Sequence, residues 1–123
     1  MLTFLLPLVK YPLIAVIVLL TIHFVADFLL QSRWMGNNKS KMWDALFAHT
    51  FVYSICFIGF GWKFVLITFI FHTVIDAISS RATSALYENG EIGWFFSVIG
   101  FDQYLHVCIL IGTWYWLFLR HVS

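Results

Sequence analysis

The sequence predicts an all-α integral membrane protein: a bundle of four transmembrane helices, with a short re-entrant or interfacial segment before the last. Three observations carry this reading. The chain of 123 residues is 62% hydrophobic and only 11% charged, whereas a soluble domain carries about 25% charged residues. Its apolar residues gather into four runs, each long enough to cross a bilayer. The histidines and aspartates within those runs fall at the same end of every crossing. A chain this long makes one domain, so 1–123 reads as a single transmembrane unit.

Residues 2–9 are apolar but short, and Lys10, Tyr11 and Pro12 interrupt them. This piece caps the first helix or lies in the interface. It has no basic start and no small-residue cleavage pattern, so it does not read as a cleaved signal peptide. The first span is 13–31. A polar stretch with Arg33, Asn37, Asn38, Lys39, Ser40 and Lys41 separates it from the second, 43–60. Gly59, Gly61 and Lys63 mark a tight turn before the third, 64–80. The stretch 81–101 holds Glu88 and Glu91 with Gly90, Gly93 and Gly100. Within it 94–99 is apolar but too short to span, which suggests the re-entrant or interfacial piece. The fourth span, 103–119, ends at Arg120, beside which His121 reads as surface. Spans of this length rise about 26–28 Å as helices, close to the hydrocarbon thickness. Helices also satisfy their own backbone groups in lipid.

Other residues agree. Trp34, Trp43 and Trp94 fall at one end of the bundle and Trp62, Trp114 and Trp116 at the other, as two aromatic belts. Arg33, Lys39, Lys41 and Arg81 lie on the side of the polar positions, against Lys10, Lys63 and Arg120 on the far side. That excess places the polar end in the cytoplasm and the chain in the cell (inner) membrane. A net charge of +1 without a basic stripe excludes a nucleic-acid binder. Cys56 and Cys108 sit at depths about 12 Å apart, too far for a disulfide, and read as small core residues.

The polar positions carry the chemistry. His23, Asp27 and Gln31 are spaced by four, so they share one helix face. His72 and Asp76 form a second pair and Asp102 and His106 a third; His49 lies early in the second span. Asp44, before it, reads as a helix-start cap. A chain crossing up, down, up, down brings these positions to one depth. Ionisable groups in hydrocarbon are costly and signal function. Four imidazoles and three carboxylates exceed one tetrahedral site. They suit one or two divalent ions, two sitting about 3.5–4 Å apart. Zinc is the first expectation, with manganese or iron also suited to the donor set. The expected metal ligands are His23, Asp27, His49, His72, Asp76, Asp102 and His106. Asp27, Asp76 and Asp102 are the expected catalytic carboxylates; Gln31 and Gln103 orient ligands from outside. Arg81 and Lys39 are the expected substrate-binding cations. A site one to two turns below the interface suits a phosphoester in a lipid or lipid-linked substrate. The expectation is therefore a membrane-embedded metal-dependent hydrolase, with membrane lipid as its surroundings and a homo-oligomer compatible with so small a bundle. Two other classes compete: an ion or proton carrier, and a phage or host envelope interaction factor whose polar cluster only joins helices.

The segment HFVADFLLQSRWMGNNKSK resembles the opening signature of a family of small bacterial and phage membrane proteins with no assigned function. HTVIDAISSR and DQYLH resemble its later motifs, and the resemblance covers 21–106. The pattern is similar to that of the YdjM-like membrane-bound metal-dependent hydrolases, whose His/Asp spacing is in turn similar to that of zinc-dependent phospholipase C and its nuclease relatives. The resemblance implies phosphoester hydrolysis, with His23, Asp27, His49, His72, Asp76, Asp102 and His106 at motif positions.

Overall fold

Buried positions repeat every four residues along the long helices. In the computed structural model, which describes residues 10–120, helix α1 (Pro12–Phe24) buries Ala15, Leu19 and His23, and the stripe continues to Asp27. Helix α2 (Arg33–Asn38) and helix α3 (Trp43–Ile55) come next. Helix α4 (Trp62–Glu88) buries Phe64, Thr68, His72, Asp76 and Ser80, and helix α5 (Ile92–Trp114) buries Asp102, His106, Leu110 and Trp114. Four residues advance a helix by about 400°. Each stripe therefore winds slowly round its helix and tracks a neighbour that crosses it.

Local chemistry sets the ends. Pro12 opens α1, where its missing N–H costs nothing. Past Phe24 the helix widens into a π-turn, Val25–Leu29, closed by Leu30 N–H donating to Val25 O. The Ser32 hydroxyl caps α2 by accepting from Met35 N–H at 3.2 Å. After α3 a 3-10 turn, Ile58–Phe60, reaches Gly61, whose φ of 99° only glycine adopts freely. Gly90, with φ 74°, makes the turn between α4 and α5. A second π-turn, Tyr115–Leu119, ends the described chain. The segment 2–9 and His121 lie outside the described residues.

The all-α class is what the structure shows: the described residues form helices and turns with no strand. Three helical stretches are long and apolar enough to cross a membrane: Pro12–Leu29, Trp62–Glu88 and Ile92–Leu119. The expected second span, 43–60, is different. It breaks after 13 helical residues, about 20 Å, because Gly59 and Gly61 disfavour helix and Gly61 turns the chain. The expected third span stopped at Arg81 because the sequence turns polar there. The helix continues to Glu88, since Ala82, Ala85 and Leu86 are good helix formers whatever their polarity. The separate re-entrant or interfacial segment is corrected too. Residues 94–99 are the first turns of α5, which runs unbroken through Gly100 into the last span. A lone glycine costs a helix only about 1 kcal/mol, too little to break one packed along α4.

Packing separates two ends. Leu19, Phe57, Phe60, Phe64, Leu110 and Trp114 form an apolar core at the end away from the aspartates. Outward faces carry large exposed apolar side chains, among them Leu13 at 72% and Ile78 at 68% exposed. Such continuous apolar cover suits lipid rather than water. Cys56 and Cys108 are both free.

Candidate metal centre

Three long helical stretches and α3 each deliver polar side chains to one buried point. Asp27 arrives from the π-turn of α1, His49 from α3, His72 and Asp76 from α4, and Asp102 and His106 from α5. A π-turn adds a residue to the helical circuit and re-aims the side chains beyond it, as at many functional sites.

Four atoms converge. His49 Nε2 lies 3.1 Å from Asp27 Oδ1, 3.2 Å from Asp76 Oδ2 and 3.1 Å from His72 Nε2. His72 Nε2 lies 3.6 Å from each of the same two carboxylate oxygens. A tetrahedral ion with bonds of about 2.0–2.2 Å has ligand–ligand edges of about 3.3–3.6 Å. The two separations of 3.6 Å match that range, and the three of 3.1–3.2 Å fall just below it. Hydrogen bonding alone accounts for them poorly: one imidazole nitrogen carries at most one proton, yet His49 Nε2 faces three partners at bonding distance. Asp27, His49, His72 and Asp76 are all buried and can hold a metal ion. Asp27 also belongs to a second group, with Asp102 and His106. There His106 Nε2 lies 3.0 Å from Asp76 Oδ1 and 3.3 Å from Asp102 Oδ1. Asp76 thus turns one oxygen toward the histidine pair and the other toward His106.

A second layer orients the first. His23 Nδ1 hydrogen-bonds with the Tyr53 hydroxyl at 2.8 Å, and His23 Nε2–H donates to Gln103 Oε1 at 2.8 Å. Gln103 Nε2 in turn donates to Asp27 Oδ2 at 3.2 Å and to Asp102 Oδ2 at 3.0 Å. Both ring nitrogens of His23 are thus engaged, by Tyr53 and by Gln103. The structure therefore places His23, an expected ligand, in the surround and not among the converging atoms. Gln103 sits where an orienting group is expected. Gln31 does not reach a carboxylate; its Oε1 is buried without a partner among the described residues.

Of the two expected substrate cations, one reaches the site. Lys39 Nζ lies 2.9 Å from Asp76 Oδ2. Arg81 turns away, donating to Ala77 O at 2.8 Å and stacking 4.5 Å above the Trp43 ring. Asp44, at the start of α3, is exposed. Residues missed from the sequence are hydroxyls. Tyr53 holds His23 and stacks on His72 with ring centroids 3.7 Å apart. Ser79 donates to Asp102 Oδ1. Only their nearness to the polar positions could have marked them, among many ordinary hydroxyls.

Asp27 and Asp102 of the cluster line a cavity of about 690 Å³. Gln103 lines it beside them, as do Lys39 and Lys41 from the segment after α2. Ser80, Thr83 and Ser84 of α4 form a polar wall; Phe28, Phe95 and Ile99 form an apolar one.

Comparison with known proteins adds one match. A family model described as a protein of unknown function (DUF3307) matches residues 15–123. No curated protein and no solved structure matches the chain.

Proposed function

The chain belongs to the DUF3307 family, and for this member we propose a membrane-embedded, metal-dependent hydrolase of a phosphoester in a lipid or lipid-linked substrate. The observation that carries the proposal is the buried convergence of Asp27, His49, His72 and Asp76, which meets a cavity lined by cationic, hydroxylic, acidic and apolar side chains through Asp27. The similarity of the His/Asp spacing to YdjM-like hydrolases points the same way.

In this reading α1, α3, α4 and α5 form a four-helix bundle in the cell membrane, with the cluster toward the cytoplasm. Zinc is the ion proposed, since the donor set is imidazole and carboxylate at near-tetrahedral spacing. A bound divalent cation supplies Lewis acidity toward a phosphoryl oxygen and makes water a better nucleophile at neutral pH. The chain's own groups do the rest. Lys39 meets the phosphate as it enters, and Asp102, steadied by Ser79 and Gln103, accepts the proton of the attacking water. Charge supports the number of ions. One dication and the Lys39 ammonium balance Asp27, Asp76 and Asp102. A second ion needs a compensating anion, which a phosphate brings.

A carrier is disfavoured on a specific observation. Thr21, Ser54, Thr68 and Thr113, polar groups along the rest of the crossing, return their hydroxyls to carbonyls of their own helices. Phe57, Phe60, Phe64 and Trp114 close that end.

The test is turnover. Zinc-loaded protein in mixed micelles is expected to release phosphate or a phosphorylated head group from a panel of lipid mono- and diesters. His49→Ala and Asp76→Asn each lower the rate about a thousandfold or more. Metal-loaded, folded protein that turns over none of the panel contradicts the proposal.

A further inference from the structure

Beyond Asp76, α4 keeps presenting polar side chains at the same interval: Ser80, Ser84 and Glu88 come at steps of four. Positions four apart lie on one helix face, so a polar stripe leaves the cluster and runs outward along the cavity for about 18 Å. Two groups on this path lack partners among the described residues. Ser80 is 7% exposed, lines the cavity, and its Oγ meets no hydrogen-bonding group there. Gln31 lines the same cavity, and its Oε1 is buried and unpartnered as well. Buried polar atoms are nearly always bonded, so an unsatisfied pair facing one cavity points to a ligand.

We propose that this stripe is a head-group subsite for a sugar or polyol phosphate carried on a lipid. The inference rests on the hydrolase reading and names the substrate class. Lys39 and Lys41 supply donors for phosphate oxygens. A phosphate oxygen gives nothing to Gln31 Oε1, which needs a donor. A hydroxyl both donates and accepts, so a polyol satisfies Gln31 and Ser80 together. A trimethylammonium group donates nothing, so it leaves Gln31 Oε1 without a partner. The volume, about 690 Å³, lies within the range of clefts that hold whole small molecules and is far larger than one phosphate needs. Phe28, Phe95 and Ile99, which also line the cavity, suit the hydrocarbon chain of the same molecule.

The test uses probes that resist hydrolysis. Zinc-loaded, detergent-purified full-length protein is titrated calorimetrically with a hexose C-phosphonate, methylphosphonate and trimethylaminoethylphosphonate. The metal content of each sample is measured alongside. The hexose phosphonate is expected to bind at least about tenfold more tightly than the other two. Ser80→Ala should cost the hexose phosphonate about three- to tenfold and leave methylphosphonate unchanged. Equal affinities for the three probes, a hexose preference that survives Ser80→Ala intact, or no binding of any probe would each overturn the subsite. Protein that cannot hold metal sinks the hydrolase reading, while the hexose preference separately decides this one.

Discussion

Gln103 links His23 to two carboxylates of the cluster, accepting from His23 and donating to Asp27 and Asp102. Groups that orient metal ligands typically contribute 10–100-fold in affinity. Gln103→Leu is therefore expected to weaken zinc binding by about that factor, read by chelator competition, with helical content unchanged. Lys39 makes the opposite prediction. Its ammonium sits on the Asp76 oxygen that faces both histidines, so it competes with a cation there. Lys39→Met should hold zinc at least as tightly as the parent protein, yet lose about tenfold or more in kcat/KM on an anionic lipid. Parallel loss of metal and activity would reduce Lys39 to a structural ion-pair partner. At this scale much of the site was legible in the sequence. His72 with Asp76, and Asp102 with His106, stand out because charged pairs at helical spacing are expensive in an apolar run. His23 has the same spacing to Asp27, but a tyrosine 30 residues away and a glutamine 80 away engage both its ring nitrogens. No local pattern reveals such partners. Arg81 has the correct position on α4, but the nearby Trp43 ring draws it aside.

The elements were legible in kind but not in extent. Apolar runs mark what lies in lipid, whereas α4 and α5 run past it as a hairpin of polar and mixed composition. Polarity alone does not end a helix, so both extend beyond their apolar runs and 94–99 joins α5. The consequence is functional, because the overhanging hairpin supplies the cavity's outer walls. Its turn depends on Gly90 at φ 74°. An L side chain there costs about 1–2 kcal/mol, so Gly90→Ala should lower the midpoint of thermal unfolding. Gly100 lies within α5, and a Cβ there meets nothing within 4 Å. Gly100→Ala should raise the midpoint, by about 0.5–1 kcal/mol in stability. Shifts of the same sign would mean the hairpin is not built as described.

Across the whole molecule, polarity is arranged inside out. The buried stripes alternate apolar residues with His, Asp, Ser and Thr, while large apolar side chains face outward. Lipid as the surrounding solvent explains both, since burial in the interior is the only way to keep ionisable groups from hydrocarbon. Composition alone makes this legible; sidedness rests on a small excess of cations. It has a direct check. In a chain with Cys56 and Cys108 replaced by alanine, Glu88→Cys should react with an impermeant maleimide only from the cytoplasmic side. Lys63→Cys should react only from the opposite side. The reverse pattern would turn the cluster outward.

The central claim is that Asp27, His49, His72 and Asp76 gather round a cation rather than merely bonding to one another. The most direct measurement is elemental analysis of protein purified in detergent without added chelator, beside the His49→Ala and Asp76→Asn variants. The prediction is one or two divalent ions per chain in the parent protein, with the content falling well below one in both variants while they remain folded. A parent protein that carries no ion and takes up none from micromolar zinc would contradict it.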